Sequence, residues 1–312
     1  MAIKITVTSA EGLNVNSGNG SYLNQFPPTF DTGNGNFGYF KDSFTNSKQY
    51  GVAEDAQSGT QIYSEGAALV AGGKLSYSLT SHTLTGKLNT LSFGEGLNGV
   101  NSPPGITNSK MSLDETDLSF AALGLNSAKG DKVHDILYGM MTGDADAFLN
   151  HLAKNAVSFK GGAGDDTYIG GRKADTLAGG AGADTLSGGK GNDKLTGGLG
   201  ADHLTGAGGK DVFIFKSVAQ STLDEADTIS GFKGSAGDRI HLKAIDADST
   251  AQGNNAFDFI GTDAFSGKAG ELRYESAEGS TWIYGDVDGD GAADLAIMLN
   301  GSLSLRENFF VL

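Results

Sequence analysis

The sequence predicts two folds in tandem. Residues 1–157 read as an α+β domain, an antiparallel sheet packed on helices. Residues 158–312 read as an all-β parallel roll. Three observations carry this: period-two alternation of apolar and polar residues in several runs before Ser92, helical spacing after Gly130, and six uninterrupted nine-residue repeats between Gly161 and Ile214.

Ala2–Thr8 (AIKITVT) alternates and reads as a half-buried strand. Glu11–Asn24 is polar and rich in Gly and Asn, and Gln25–Asn36 (QFPPTFDTGNGN) holds two prolines and a Gly-Asn cluster, so both read as loop. Strand-like runs follow at Phe37–Phe40, Gln49–Ala53 and Gln61–Ser64. Leu69–Leu79 and His82–Ser92 alternate like the arms of a hairpin, and Gly94–Asn108 reads as loop again. Asp131–Met141 sets Val133, Ile136, Leu137, Met140 and Met141 on one helical face. Asp144–Ala156 opens with aspartates where the helix dipole favours them and offers Phe148, Leu149 and Leu152 for burial. Strands first and helices afterwards, without βαβ alternation, give the α+β reading. The composition shifts at Ser158–Gly161.

The repeats are GGAGDDTYI, GGRKADTLA, GGAGADTLS, GGKGNDKLT, GGLGADHLT and GAGGKDVFI. They follow G-G-x-G-x-D-x-U-x, the pattern of nonapeptide parallel rolls. Glycines permit tight turns with positive φ. The sixth position is always aspartate (Asp166, Asp175, Asp184, Asp193, Asp202, Asp211), and the eighth is always large and apolar. A turn plus a short strand is half a coil, so two units close one coil and units n and n+2 stack at roughly 4.8 Å. That places Asp166, Asp184 and Asp202 along one edge and Asp175, Asp193 and Asp211 along the other. Carboxylates so stacked repel unless a cation lies among them. Ca²⁺, which takes six to eight oxygens including turn carbonyls, is the expected occupant.

Beyond the repeats, Asp227–Ala244 reads as two short strands about a Gly-rich turn, and Glu271–Tyr284 and Leu295–Leu299 add more strands. Asp286–Asp294 (DVDGDGAAD) matches the first half of an EF-hand loop, with Asp286, Asp288 and Asp290 at alternate positions. Ile297 stands where that loop needs a bidentate glutamate, so the stretch is either a calcium site or an acidic loop between strands.

The net charge of −15 argues against nucleic acid or an anionic membrane as partner. Most of the excess acid lies after residue 156, among the repeats and beyond. There are no cysteines, which excludes disulfides and thiolate metal sites. Residues 1–20 lack a basic stretch followed by an apolar run, so no Sec-type leader is expected there, and no apolar stretch is long enough for membrane insertion. None of the five histidines lies in H-E-x-x-H, and no serine sits in G-x-S-x-G, so neither motif supports an enzyme.

Tyr77 shares the alternation of Leu75 and Leu79, which by itself reads as a core tyrosine. A hairpin turning on Leu79–Thr80 would set it opposite His82, with Cβ atoms about 5 Å apart, although Leu-Thr is poor chemistry for a two-residue turn. A tyrosinate beside an imidazole is also a plausible iron site, tyrosinate being one known haem ligand. The stretches LVAGGKLSYSLTSHTLTGKLNTLSFGEGLNG (Leu69–Gly99) and DLSFAALGLNSAKGDKVHDILYGMMTGDADAF (Asp117–Phe148) resemble the secreted HasA-type haemophores. The resemblance implies an α+β fold holding one haem between two loops, with Tyr77 as the iron ligand and His82 hydrogen-bonded to it. His134 matches a helical histidine of that family and equally reads as a helix-surface residue. It further implies iron acquisition outside the cell, an outer-membrane haem receptor, and haemoglobin or another haemoprotein as donor. The chain departs from the family in having no histidine in Gln25–Asn36, where many members carry the opposite axial ligand, and in a shorter Tyr77–His82 interval.

The segments GKDVFIFKSVAQSTLDEADTISGFKGSAGDRIHL and GKAGELRYESAEGSTWIYGDVDGDGAADLAIMLNGSLSLRENFFVL resemble the C-terminal RTX repeat domain of serralysin-type secreted metalloproteases. That resemblance implies export by a type I secretion apparatus through an uncleaved C-terminal signal, ending here in ENFFVL. The expectation is an exported haem-capturing protein with a calcium-binding roll. The rival is a secreted structural or adhesive repeat protein that no longer binds haem.

Overall fold

The computed structural model describes residues 2–13, 15, 39–40, 47–53, 61–63, 67–78, 83–100, 112–126, 133, 135–137 and 145–312. The chain divides into two compact units. One comprises Met1–Ser9 and Asn14–Lys154; the other comprises Ala10–Leu13 and Asn155–Leu312.

The first unit is built on strands β1 (Ile3–Val7), β2 (Tyr39–Phe40), β3 (Ser47–Ala53), β4 (Gln61–Tyr63), β5 (Ala67–Ser78), β6 (Thr83–Val100), β7 (Ser112–Ala121) and β8 (Leu125–Asn126). They pair antiparallel in the order β2-β3-β5-β6-β7-β1, with β4 and β8 also on β6. The alternation of β1 buries Ile3, Ile5 and Val7 and exposes Lys4, as a period of two requires. Leu88, Leu91, Leu118 and Phe120 are buried as well. Helix α1 (Asp146–Lys154) carries Asp146 in its first turn and buries Phe148 and Leu152. Phe148 meets Phe120 edge-on with ring centroids 4.8 Å apart, a favoured aromatic geometry. Leu149, expected inside, is half-buried. Residues 133 and 135–137 are helical, with Val133, Ile136 and Leu137 buried, while Met140 and Met141 lie outside the described residues.

The sequence of Gly94–Asn108 reads as loop, yet β6 continues to Val100. Its glycines suggest a break, but Gly94, Glu95, Leu97 and Asn98 pair with β7 across a register shift at Phe93/Gly94. Cross-strand pairing overrides local propensity in sheets.

The second unit is a coil of short parallel strands. One sheet runs β9 (Val157–Lys160), β11 (Thr176–Ala181), β13 (Lys194–Leu199), β15 (Val212–Ile214), β17 (Arg239–His241) and β22 (Phe310–Val311). The other runs β10 (Thr167–Ile169), β12 (Thr185–Ser187), β14 (His203–Thr205), β16 (Asp227–Ser230), β21 (Leu295–Asn300), β20 (Ser280–Asp286), β19 (Glu271–Ala277) and β18 (Asp258–Gly261). Successive repeats alternate between the sheets, so a short turn suffices where a parallel pair within one sheet needs a long crossover. The eighth-position residues stack in register, Tyr168 on Leu186 on Leu204 and Leu177 on Leu195 on Phe213, and all six are fully buried. Ile229 and Ile240 extend these two columns past the last repeat. Strand β21 joins β16 in parallel and β20 antiparallel, β20 pairs antiparallel with β19, and β18, parallel to β19, ends the second sheet.

Candidate functional site

Each turn of the roll is built around its aspartate. A Cβ added at Gly179 would lie 1.9 Å from Oδ2 of Asp184, so the first position of that unit admits only glycine. In the third to fifth units the second position turns through positive φ, 122° at Gly180, 88° at Gly189 and 135° at Gly198. In the sixth unit Ala207 adopts φ 66° at that place, a strained choice for a residue with a Cβ.

The aspartates form two hydrogen-bonded columns. On one edge the backbone N–H of Asp166 donates to Asp184 Oδ1 (2.7 Å), that of Asp184 to Asp202 Oδ1 (2.8 Å), and that of Asp202 to Asp227 Oδ1 (3.1 Å). On the other edge Val157 N–H donates to Asp175 Oδ1 (2.7 Å), Asp175 to Asp193 (2.8 Å), Asp193 to Asp211 (2.9 Å) and Asp211 to Asp238 (3.0 Å). Both expected edges are therefore present, with all six repeat aspartates buried. Asp227 and Asp238 are members that the repeat pattern misses: no glycine precedes Asp227 in its turn, and Gly234 and Gly237 before Asp238 do not keep the G-G-x-G spacing. The D-x-U spacing survives in Asp227-Thr228-Ile229 and Asp238-Arg239-Ile240, and that signal could have found them.

The second carboxylate oxygens divide the set. Oδ2 of Asp166 accepts from Gly162 N–H (2.7 Å), Oδ2 of Asp175 from Gly171 N–H (2.9 Å) and Oδ2 of Asp238 from Lys233 N–H (2.8 Å). Oδ2 of Asp184, Asp193, Asp202 and Asp227 is buried with no hydrogen-bond partner. Unpartnered buried carboxylate oxygens are costly and call for a cation or a proton. Burial pushes these four acids up, Asp184 to about 8, Asp193 to about 6, Asp202 to about 7 and Asp227 to about 8. Desolvation leads in every case, and repulsion between neighbours is a smaller cause. Burial, more than the mutual repulsion expected from the repeat, is thus what these carboxylates must offset. Hard oxygen donors, four of them orphaned in a row of tight turns, fit Ca²⁺.

A second acidic group lies between β20 and β21. Carboxylate oxygens of Asp286, Asp288 and Asp294 come within 4.8 Å of one another. Asp286 is buried and accepts from Gly289 and Gly291 N–H (2.7 and 3.0 Å), while Asp294 accepts from Val287 N–H (2.8 Å). Asp290, expected in this set, stands outside it and accepts from Ala292 N–H (2.7 Å). Asp294 takes its place because the loop returns as a hairpin, with Ile297 of β21 paired to Ile283 of β20 and buried.

In the first unit, Tyr77 is the penultimate residue of β5 and pairs with Leu84 of β6, next to the closing pair Ser78–Thr83. The hairpin therefore does not turn on Leu79–Thr80, and Tyr77 is not opposite His82. Four residues, 79–82, connect the arms, consistent with the poor turn chemistry of Leu-Thr. His82 and His134 lie outside the described residues.

Two columns of buried aspartate on a parallel coil, which follows a unit of antiparallel strands in the sequence, define a β-roll repeat protein with a second, N-terminal unit. Residues 138–311 match the family described as Peptidase M10 serralysin C terminal. Residues 11–189 match Heme-binding protein A (HasA), and the chain belongs to that family. It is 36% identical over 141 residues to the hemophore HasA of Serratia marcescens, covering 40% of this chain and 68% of that protein. Among solved structures, the apo hemophore HasA from Yersinia pestis is 22% identical, covers 48% of this chain and 88% of its own, and has a TM-score of 0.35. The AlgE6R3 subunit of the Azotobacter vinelandii mannuronan C5-epimerase is 26% identical, covering 48% and 78%, also with a TM-score of 0.35. Among the described residues no helix is long and apolar enough to cross a membrane.

Proposed function

We propose that this chain is an exported haem carrier, without catalytic activity, that captures extracellular haem for iron acquisition and folds outside the cell around calcium held by its roll. The observation that carries this is membership of the heme-binding family across residues 11–189, together with a serralysin-type region at 138–311. The N-terminal domain is then α+β and binds one haem. Tyr77 at the end of β5 is the iron ligand, His82 five residues later supports the phenolate, and His134 also serves the haem. With no histidine in Gln25–Asn36, the tyrosinate carries the iron without the family's usual partner on the first loop. The iron must offset the ionisation of a phenol of pKa near 10, roughly 4 kcal/mol at pH 7. In the roll, the orphaned oxygens of Asp184, Asp193, Asp202 and Asp227 support a calcium ladder. Asp286, Asp288 and Asp294 are a further acidic group suited to the same ion. A haem-donating haemoprotein, an outer-membrane receptor and the type I secretion apparatus are the partners this role requires.

Titration of the purified chain with haemin tests the reading. A tyrosinate site gives a saturable Soret band with charge-transfer bands, and Tyr77→Phe should weaken binding more than any single change in Gln25–Asn36. Weak, non-saturable absorbance would leave the adhesive repeat protein as the better description. An unchanged spectrum and affinity in Tyr77→Phe would return that tyrosine to the core.

A further inference from the structure

The roll has an edge that its own repeats do not cover. On one column the stack begins with β9, which is contiguous with the repeats and supplies Val157 N–H to Asp175. On the other column the first turn is Gly161–Asp166, and what lies against it comes from much earlier in the chain. Leu13 N–H donates to Asp166 Oδ1 at 2.6 Å, and Thr167 N–H donates to Leu13 C=O at 2.8 Å. These two bonds repeat those between stacked coils: Asp166 N–H to Asp184 Oδ1 at 2.7 Å, and Thr185 N–H to Asp166 C=O at 2.8 Å. Leu13 thus stands where the sixth residue of a preceding turn would stand.

The neighbouring residues follow the same correspondence. Gly12 has φ 79°, and a Cβ on it would lie 2.3 Å from the carbonyl oxygen of Asp165. A Cβ on Gly164 would lie 2.3 Å from Gly12 N and 2.4 Å from the carbonyl carbon of Glu11. One coil further on, a Cβ on Gly182 would meet the carbonyl carbon of Gly164 at 2.6 Å. Turn lies on turn at both levels at the same closeness. The difference is chemical: Leu13 contributes the N–H and C=O of a ladder residue but no carboxylate, so it ends the column without adding a buried charge. Solenoids need such an atypical terminal unit, since an open edge leaves backbone groups unpaired.

We propose that Ala10–Leu13 is the terminal turn of the roll, and that calcium loading of the repeats fixes this segment and, through it, the chain on either side. The inference rests on the calcium reading of the roll. The flanks are short: Val7 closes β1 six residues before Leu13, Val15 follows two residues after it, and both valines are buried. Both flanks belong to the first unit, whereas Ala10–Leu13 belongs to the second. Ordering the first turn of the repeats therefore orders a four-residue stretch whose chain neighbours on both sides belong to the first unit.

Hydrogen exchange on the full chain tests this, with haem absent, in a chelator and in about 1 mM calcium. Calcium should slow exchange at Leu13 and Thr167 by at least about tenfold, together with Thr185 and His203 of the same edge. Gly12→Val, which cannot place its Cβ, and Leu13→Pro, which lacks the N–H, should each abolish that protection at Thr167. Both should leave His203 protected, and both should raise the calcium midpoint by about threefold or more, since a cap that binds only the folded roll adds to its stability. Calcium protection at Thr185 and His203 with none at Leu13 and Thr167 would overturn the inference while leaving the calcium roll intact. So would either variant keeping Thr167 protected. No response at any of these amides would remove the calcium reading itself, and the cap with it.

Discussion

At the residue scale the roll is a problem of four carboxylate oxygens. Asp184, Asp193, Asp202 and Asp227 hold a buried Oδ2 that nothing in the protein satisfies, and burial raises each acid, the highest to about 8. Without calcium, the native roll keeps protons on these groups at pH values where the unfolded chain, with carboxyls near 3.9, has lost them. The native state then binds more protons than the unfolded state between about pH 4 and 8, so stability falls as pH rises through that window. Metal-free protein should resist urea better at pH 5 than at pH 8, read by circular dichroism. The opposite order would mean that these oxygens are not orphaned in solution. Asp202→Asn should cost more calcium affinity than Asp166→Asn, because Asp166 already spends both oxygens on N–H donors while Asp202 has one to offer. Calcium titrations of the two variants decide it, and equal losses would refute the division of the columns. Ala207, at φ 66°, predicts a gain: Ala207→Gly should stabilise the calcium-loaded roll by about 0.5–1 kcal/mol in thermal melts. Period and spacing alone located six aspartates correctly. They do not reveal which oxygens lack partners, because that depends on which N–H groups the stack brings near, and they miss Asp227 and Asp238 because the G-G-x-G spacing is broken ahead of both.

At the scale of elements, the repeat dictates almost everything it covers. Six strands of the roll fall at the positions its seventh to ninth residues specify, and their registers step by two units as the turn-plus-strand argument requires. Their stability comes from one apolar column per sheet. Leu186, stacked between Tyr168 and Leu204 and fully buried, should cost about 3 kcal/mol when cut to alanine, measured as a shift in the denaturation midpoint at saturating calcium. A loss below 1 kcal/mol would show that the column can collapse around the gap. The antiparallel unit was less legible. The alternation of β1 and the two hairpin arms was visible, whereas the extension of β6 through Gly94 and Gly96 depends on β7, a partner about twenty residues away. The hairpin connection has the same kind of cause. Register is a property of two strands at once, and here Ser78 pairs with Thr83, leaving a four-residue connection that no single run of residues announces.

At the scale of the whole molecule, the proposed function joins a region of the heme-binding family to a serralysin-type region whose folding would depend on calcium. At cytosolic calcium the roll should be largely unfolded, which suits passage through a channel. At the millimolar levels outside, it should gain β-structure visible by circular dichroism. Identical spectra in chelator and in calcium would exclude this coupling. Removing Ala292–Leu312 takes away β21 and β22, one from each sheet of the roll, so it tests fold and signal together. Ile297→Asp separates them, since it places a charge at a fully buried position of β21 and leaves the rest of the tail in place. The truncated chain should accumulate in cells while Ile297→Asp is still secreted. Retention of both would indicate that export reads the folded sheet.

The alternation of repeats between two sheets has a consequence for how such a protein can change length. One repeat carries the chain from one sheet to the other, so an odd number gained or lost exchanges left for right in everything downstream. Strand β16 joins the column of β14, and β17 joins that of β15. Deleting Gly179–Ser187 alone would present each of these strands to the wrong column. Deleting Gly179–Thr196, two repeats, restores the match and shortens the molecule by one coil. Lineages that carry this roll should therefore vary in steps of eighteen residues, with parity inherited as strictly as any side chain.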